Sequence, residues 1–219
     1  QHAHDLPLAE QAGLLSDYSV ICDALDQRPQ AITARRQAAE RWRQAGNLLK
    51  QGESLGYLAL LLHLTGDNAQ AEQINNQAIA VLEGLPPNRE LAIIYNSQAL
   101  LHLANLDNAR GVTIAEKNLA FAHRIEDETL FPRLYETLGL CWLHLDHTRG
   151  IAYLEQSLEL ALHLGQTIRS ANTYANLCSV YVEFYRFPQA AACFTTGLAY
   201  MAERDLESTR LFTLAWRAQ

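Results

Sequence analysis

The sequence repeats a pattern of small residues with a period of about 40, and this repeat constrains the fold more than any other feature. Two sets of equivalent positions carry mostly short side chains and are spaced by 39 or 40 residues. The first-helix set is Ser19, Ala59, Ala99, Gly139 and Cys178. The second-helix set is Ala31, Ala71, Gly111, Ile151 or the adjacent Gly150, and Ala190. Because helices that cross at ~8–10 Å need short side chains at the contact, the pattern predicts stacked helix pairs.

Helix-start signals recur in the same register. Pro29 and Pro188 each lie two residues before the small position of a second helix, where the first turn tolerates proline. Asp67 and Asp107 precede the equivalent helices in the next two units and are expected to be N-caps. No stretch alternates apolar and polar residues as a strand would. The predicted helices span 7–25, 29–44, 48–65, 68–83, 88–105, 108–124, 128–145, 148–164, 167–185, 188–203 and 205–219.

These helices predict an all-α fold, a right-handed superhelix (solenoid) of antiparallel helix hairpins in a single domain over 1–219. The expected repeats are about 7–46, 47–86, 87–126, 127–165, 166–204 and half a repeat over 205–219. We expect that last helix to expose Leu211, Leu214 and Trp216, to favour self-association, and to indicate that the chain is a fragment of a longer protein.

One unit resembles a tetratricopeptide (TPR) repeat: Tyr174-Ala175-Asn176-Leu177-Cys178-Ser179-Val180-Tyr181, followed by Phe187-Pro188-Gln189-Ala190. The period of about 40, longer than the ~34 residues of the usual unit, resembles the long-helix repeats of large bacterial transcriptional regulators that combine an ATPase module with a LuxR-type effector. Stretches such as 38–43, 78–83 and 214–218 are similar to that group. The resemblance implies a non-catalytic interaction or signalling domain, not an enzyme.

Charge and cysteine usage narrow the function classes. The chain has 24 acidic and 17 basic residues, a formal net charge of −7, which disfavours binding of nucleic acid or an anionic membrane by this segment. No apolar run is long enough for a transmembrane helix, and the N-terminus has no apolar signal core. The four cysteines are scattered within apolar helical stretches, which favours buried free thiols and a cytoplasmic location.

We find no motif for a cofactor, a metal or catalysis. The 11 glycines form neither a phosphate-binding loop nor a dinucleotide fingerprint, and no H-E-x-x-H is present. His144-Leu145-Asp146-His147 has spacing that a metal site could use, but the period places it at an inter-helix turn, where polar residues are expected. A hydrated turn is therefore the favoured interpretation.

Two further patterns are better explained by structure than by ligand binding. The arginine run Arg35, Arg36, Arg41 and Arg43 is interrupted by Glu40, and we expect an exposed helix face with ion pairs. The recurring tyrosines four residues before the small position of a first helix suit inter-helix packing better than a ligand cage. They are Tyr95, Tyr135 and Tyr174.

The repeat register also predicts a partner-binding surface. In TPR-like folds the first helix of each hairpin lines a concave groove, and five positions around the small residue share that helix face. The predicted polar members are Glu53, His63, Asn96, Arg133, Glu136, His144, Asn172 and Glu183. The predicted apolar members are Leu60, Leu100, Leu103, Leu140, Leu143 and Val182.

This surface favours a protein or peptide partner, or another segment of the parent protein. Its carboxylates outnumber Arg133, so we expect an apolar partner with some basic character. Two alternatives remain open. Several positions could simply pack against neighbouring hairpins, or the groove could be a small-molecule (inducer) sensor site, which would need a closed pocket with convergent polar groups.

Overall fold

The computed structural model describes residues 6–217 and builds them from α-helices, with no strand in that range. None of these helices is long and apolar enough to cross a membrane. In chain order the helices are α1 Leu8–Ala24, α2 Arg28–Gln44, α3 Leu48–Leu64, α4 Asn68–Glu83, α5 Arg89–Ala104, α6 Asn108–Ile125, α7 Phe131–Trp142, α8 His147–His163, α9 Thr167–Glu183, α10 Phe187–Ala202 and α11 Glu207–Arg217.

The helices form two compact units that meet in sequence between Asn105 and Leu106. In the first unit, α1 pairs with α2 and α3 with α4, α2 and α4 each pack on the following helix, and α3 also contacts α5. In the second unit, α7 pairs with α8 and α9 with α10, while α6, α8 and α10 each pack on the next helix. A single domain across 1–219 stays a prediction.

The helix-start signals act as predicted. The Asp67 side chain accepts a hydrogen bond from the Gln70 backbone N–H, and Asp107 accepts one from Arg110. Asp146 caps α8 in the same way. Pro29 and Pro188 lie in the first turns of α2 and α10. Each cap satisfies a backbone N–H that the helix leaves without a partner.

Most helices are followed by a residue with a left-handed backbone conformation, that is, a positive φ. Asp26, Gly66 and Tyr185 have φ of 58°, 84° and 56° and lie in equivalent turns within hairpins. The α7–α8 connection, residues 143–146, contains no residue with positive φ. This is also the hairpin in which the repeat is one residue shorter. Gly150, not Ile151, makes the close approach of α8 to α7, so the second-helix spacing is 40, 40, 39 and 40.

The predicted start of the helix over 128–145 is wrong. Residues Glu128–Leu130 form a 3₁₀ turn, and α7 begins at Phe131. Asp127 caps this turn through the Thr129 backbone N–H and hydroxyl. Pro132 has no N–H to donate to the carbonyl four residues earlier, so an α-helical ladder cannot include that bond.

Arg35 also departs from the expectation of an exposed arginine face. It is buried, donates from Nε to Ser19 Oγ (3.3 Å) and from a terminal nitrogen to the Ser16 carbonyl (2.9 Å), and lies over the Tyr57 ring. The other three arginines of the run lie at the surface, where Arg43 pairs with Glu40. Burial lowers the pKa of the Arg35 guanidinium, which keeps its charge through these contacts.

The cysteine and C-terminal predictions have mixed outcomes. All four cysteines are free and buried, as expected. In α11, Leu211 is 56% exposed, but Leu214 is only half-exposed and Trp216 packs against the α9–α10 core. Phe212, which was not predicted, is 54% exposed. Self-association through this helix stays a prediction, and Ala218 and Gln219 lie outside the described residues.

Candidate functional site

The repeat register predicts five accessible positions on each first helix. In four first helices the structure exposes some of these positions and buries the one three residues before the small residue. Around the small residues of α3, α5, α7 and α9, the positions one and five residues later are exposed or half-exposed. The position three residues earlier is buried in all four helices. Its occupants are Gly56, Asn96, Glu136 and Ala175.

In α3 and α7 the next first helix of the same unit explains this burial. A Cβ on Gly56 would lie 1.9 Å from Ile94 Cδ1, so α5 packs directly over that position of α3. Asn96 and Glu136, which are 3% and 5% exposed, occupy the same register. The prediction that they are accessible groove residues is therefore wrong, because both side chains are buried.

In the first unit, four predicted residues line one pocket. Leu60 and His63 come from α3, and Leu100 and Leu103 come from α5. The pocket has a volume of about 280 Å³. Leu60 and Leu100 remain 44% and 36% exposed, although leucine is a residue that burial favours. These four residues define the α3/α5 face. It is the candidate site in the first unit, because it brings four predicted residues together around one pocket.

The pocket has few polar groups, and none of its lining residues is Asp, Glu, Lys or Arg. Its other lining residues are Ala59, Asn75, Ser97, Leu101 and Ala104. Asn75, on α4, is fully buried and donates from Nδ2 to the Ile94 carbonyl across 3.4 Å. Its Oδ1 has no hydrogen-bond partner among the described residues. The sequence pattern does not indicate Asn75, because Asn75 lies on a second helix, which the repeat register places outside the groove.

Two other polar groups of this pocket use their hydrogens internally. His63 Nδ1 lies 2.8 Å from Asn68 Oδ1, which can only accept, so Nδ1 donates and a neutral ring keeps Nε2 as an acceptor. The Ser97 hydroxyl donates to the Ile93 carbonyl at 3.2 Å. The α3/α5 face therefore offers hydrogen-bond acceptors within an apolar pocket.

In the second unit, the corresponding face is organised around a buried carboxylate. Glu136 of α7 forms an ion pair with Arg169 of α9. It also accepts hydrogen bonds from Thr173 Oγ1 and Asn176 Nδ2, both at 3.1 Å. The Glu136 side chain is 7% exposed. These three donors occupy the carboxylate, so it joins α7 to α9 and is not presented to a partner.

The predicted charge balance of the groove changes once Arg169 is included. Arg133 is not the only arginine of the first helices in this unit, because Arg169 follows on α9 and neutralises Glu136. Glu53, in the first unit, is exposed but pairs with Lys50 at 2.7 Å. The surplus of negative charge that favoured a basic partner is therefore smaller than the sequence indicated.

The remaining predicted residues of the second unit differ in exposure. Arg133 and Asn172 are half-exposed, His144 is exposed in the turn after α7, and Glu183 is exposed as the last residue of α9. Leu140 and Val182 are half-buried, and Leu143 is buried. Whether these positions contact a partner stays a prediction.

The histidine and tyrosine patterns have structural explanations. Asp146 caps α8, His147 stacks on Phe184 at 4.9 Å, and His144 lies at the surface. Within residues 6–217, no group of three or more His, Cys, Asp or Glu side chains is arranged to hold a metal ion.

Tyr135 stacks on Tyr153 of the paired helix, and Tyr174 contacts Tyr200 of its paired helix in a tilted arrangement. These two contacts confirm inter-helix packing for Tyr135 and Tyr174.

Solved structures show what the chain resembles. A Rap protein complexed with competence and sporulation factor superposes with a TM-score of 0.80 at 14% identity, covering 89% of this chain and 55% of that one. BtubC from P. vanneervenii gives 0.74 at 20% identity, covering 90% and 82%. A signal-transduction ATPase (STAND) protein with a tetratricopeptide repeat sensor from Pyrococcus horikoshii gives 0.74 at 15% identity, covering 94% and 32%.

The fold is tetratricopeptide-like. The expected fold class, an all-α helical-repeat solenoid, is thereby confirmed. No protein-family model matches the sequence, and no curated protein matches it significantly. The chain spans about half of the Rap protein and about a third of the STAND protein, so these likenesses concern the fold alone.

Proposed function

We propose that the chain is a non-catalytic interaction domain that binds a segment of another protein, or of its own parent protein, on the α3/α5 face. The observation that carries this proposal is the pocket that Leu60 and Leu100 leave open at the surface. Apolar residues around a pocket of this kind are typical of surfaces where one partner inserts anchor side chains.

The electrostatics of the two units favour a neutral, apolar segment. No lining residue of the α3/α5 pocket is Asp, Glu, Lys or Arg, and Lys50 and Arg169 compensate two of the predicted carboxylates. An arginine or lysine inserted here would lose hydration without gaining a carboxylate. The partner segment that fits best is therefore an amphipathic helix or extended peptide with large apolar side chains.

The wider context of this domain is part of the proposal. The sequence resembles the helical repeats of bacterial transcriptional regulators, and a STAND protein with a tetratricopeptide repeat sensor shares the fold. We place the chain in such a cytoplasmic regulator, where it relays a signal by holding or releasing a partner segment.

A selection experiment tests the binding surface. Peptides of about 15 residues that bind this chain are selected from a random library. Their affinities for the unaltered chain and for the Leu60→Asp variant are then compared. We expect a loss of at least about tenfold, because a buried apolar contact is replaced by a carboxylate that must be desolvated. Leu48→Asp is the matched control, since Leu48 lies on the same helix and is 43% exposed. Equal binding by both variants would overturn the proposal.

A small-molecule sensor is the second candidate, and the enclosed acceptor Oδ1 of Asn75 favours it. The pocket volume of about 280 Å³ lies just below the ~300–1,000 Å³ typical of sites for drug-sized ligands. A thermal-shift screen of small metabolites on the full-length parent, with and without ATP, distinguishes the two. A sensor requires a ligand-induced shift that Leu60→Asp abolishes, whereas an interaction domain does not.

A further inference from the structure

The α3/α5 pocket has a chemical preference that goes beyond a generic apolar contact. Its lining is apolar except for Asn75, His63 and Ser97. Asn75 leaves Oδ1 without a partner, His63 commits Nδ1 to Asn68, and Ser97 commits its hydroxyl hydrogen to Ile93. The Asn75 and Ser97 oxygens, and His63 Nε2 when the ring is neutral, are therefore acceptors. The hydrogens on His63 Nδ1 and Ser97 Oγ are used, and Asn75 Nδ2 uses one of its two hydrogens for the Ile94 carbonyl.

A buried acceptor without a partner is unusual, because folded proteins satisfy nearly all buried polar groups. Asn75 is fully buried on α4, behind the leucines of α3 and α5, and the pocket is the space that adjoins it. A ligand that enters this pocket with a donor satisfies Oδ1, whereas a hydrocarbon of the same shape leaves it unsatisfied.

Size and charge limit the ligand further. A volume of about 280 Å³ suits one large side chain. An ammonium or guanidinium group would need a carboxylate, and none lines the pocket. A hydroxyl brings an acceptor of its own that also needs a donor, whereas the indole of tryptophan carries one N–H donor and no acceptor.

We propose that the α3/α5 pocket is an anchor subsite for the indole of a tryptophan in the bound segment, with Asn75 Oδ1 accepting from the indole N–H. This inference rests on the proposed function and specifies the side chain that the partner inserts. Tryptophan is also the residue type that most often dominates binding energy at interfaces.

Free indole and indene are the first probes, because the two bicyclic rings have similar size and only indole carries an N–H. Binding is measured by chemical-shift titration of the described chain. We expect indole to bind about fivefold to tenfold more tightly than indene, the effect of one net hydrogen bond. Asn75→Leu should remove this difference. Equal affinities of the unaltered chain for indole and indene would overturn the inference, and this arm needs no variant to fold.

A second variant localises the site. Ala104 lines the pocket as the exposed last residue of α5, so Ala104→Phe should fill the opening and abolish indole binding. Ala202→Phe is the matched control, because Ala202 is the exposed last residue of α10 in the other unit. Indole binding that survives Ala104→Phe would overturn the inference.

N-acetyl-tryptophanamide distinguishes a peptide anchor from a free aromatic ligand. We expect it to bind with the same dependence on Asn75. If indole binds and N-acetyl-tryptophanamide does not, the anchor inference is wrong and the sensor function gains support. If selected peptides require Leu60 but indole and indene bind alike, the anchor inference fails while the proposed function stands.

Discussion

Gly139 of α7 and Gly150 of α8 lie so close together that a Cβ on either residue would be 2.9 Å from the carbonyl oxygen of the other. The Gly150 Cβ would also lie 2.9 Å from the Leu143 backbone nitrogen. Because backbone atoms cannot rotate away as a side-chain tip can, a methyl group at either position forces the helices apart.

Gly150→Ala should therefore lower the free energy of unfolding by about 1–3 kcal/mol, the usual cost of overpacking. Gly13→Ala in α1 is the matched control, because nothing lies within 4 Å of its Cβ position. That control should raise the free energy of unfolding by about 0.5–1 kcal/mol through helix propensity. Urea denaturation measures both. If Gly150→Ala raised the free energy of unfolding as Gly13→Ala does, the two helices would not pack as described.

Tyr185 has a φ of 56° in the α9–α10 turn and is 80% exposed. A left-handed conformation costs a residue with a Cβ roughly 1–2 kcal/mol, and glycine avoids that cost. Tyr185→Gly should raise the free energy of unfolding by about 0.5–1 kcal/mol after the entropy of glycine is counted. Gly66, in the equivalent turn at a φ of 84°, supplies the reverse test. Gly66→Ala should lower the midpoint of thermal unfolding, and a rise would contradict the prediction.

The ion pair between Glu136 and Arg169 should show strong energetic coupling. Glu136→Leu leaves Arg169 without its partner, and Arg169 is only 21% exposed. We expect a loss of about 2–4 kcal/mol, somewhat below the cost of breaking a fully buried pair because water reaches the arginine. Arg169→Leu should be similarly destabilising, and the double variant should lose less than the sum. Additive losses in this cycle would indicate that the pair contributes no coupling.

Alkaline pH should destabilise the fold through Cys141. Burial raises the pKa of the Cys141 thiol from 9.0 to about 12, so the folded state keeps a proton that the unfolded state releases. The stability this provides is present below pH 9 and is lost as pH rises towards 12. The free energy of unfolding should therefore fall by up to about 1.4 kcal/mol per pH unit from this group.

Cys141→Ala provides the comparison, because it removes the thiol and leaves the tyrosines unchanged. Denaturant titrations between pH 8 and 11 should give a shallower decline for the variant. Parallel curves would show that this thiol ionises equally in both states.

The helix boundaries were mostly predictable from the sequence, because the residues that start a helix act locally. Asp67, Asp107 and the two prolines each act within one turn of the chain, so a short stretch determines where the helix begins. The start of α7 was wrong because two local signals compete. Asp127 favours an earlier start, and Pro132 prevents the α-helical bond that such a start requires.

The candidate site was predicted less completely, because exposure depends on neighbours that the register does not specify. Helical periodicity groups Leu60 with His63 and Leu100 with Leu103, and the structure brings these four together. The same periodicity includes Asn96 and Glu136, which are buried, and Glu136 is covered by residues of α9. Asn75 lies on a second helix, where the repeat register predicts no groove residue. Only the packing of the helices shows that its Oδ1 is buried without a hydrogen-bond partner among the described residues.

The α7–α8 turn has a consequence for how such a chain changes length. Removing one residue from within a helix rotates everything beyond it by about 100°, which would carry the small contact residues out of register. Here α7 ends three residues after Gly139, whereas the other first helices end five residues after their contact residue, and the connection that follows has four residues instead of three. The hairpin is thereby one residue shorter, and Gly139 still meets Gly150. Insertions and deletions in descendants of this sequence should therefore accumulate between the end of a first helix and the start of the second, while the four residues from the N-cap of each second helix to its contact residue are inherited unchanged.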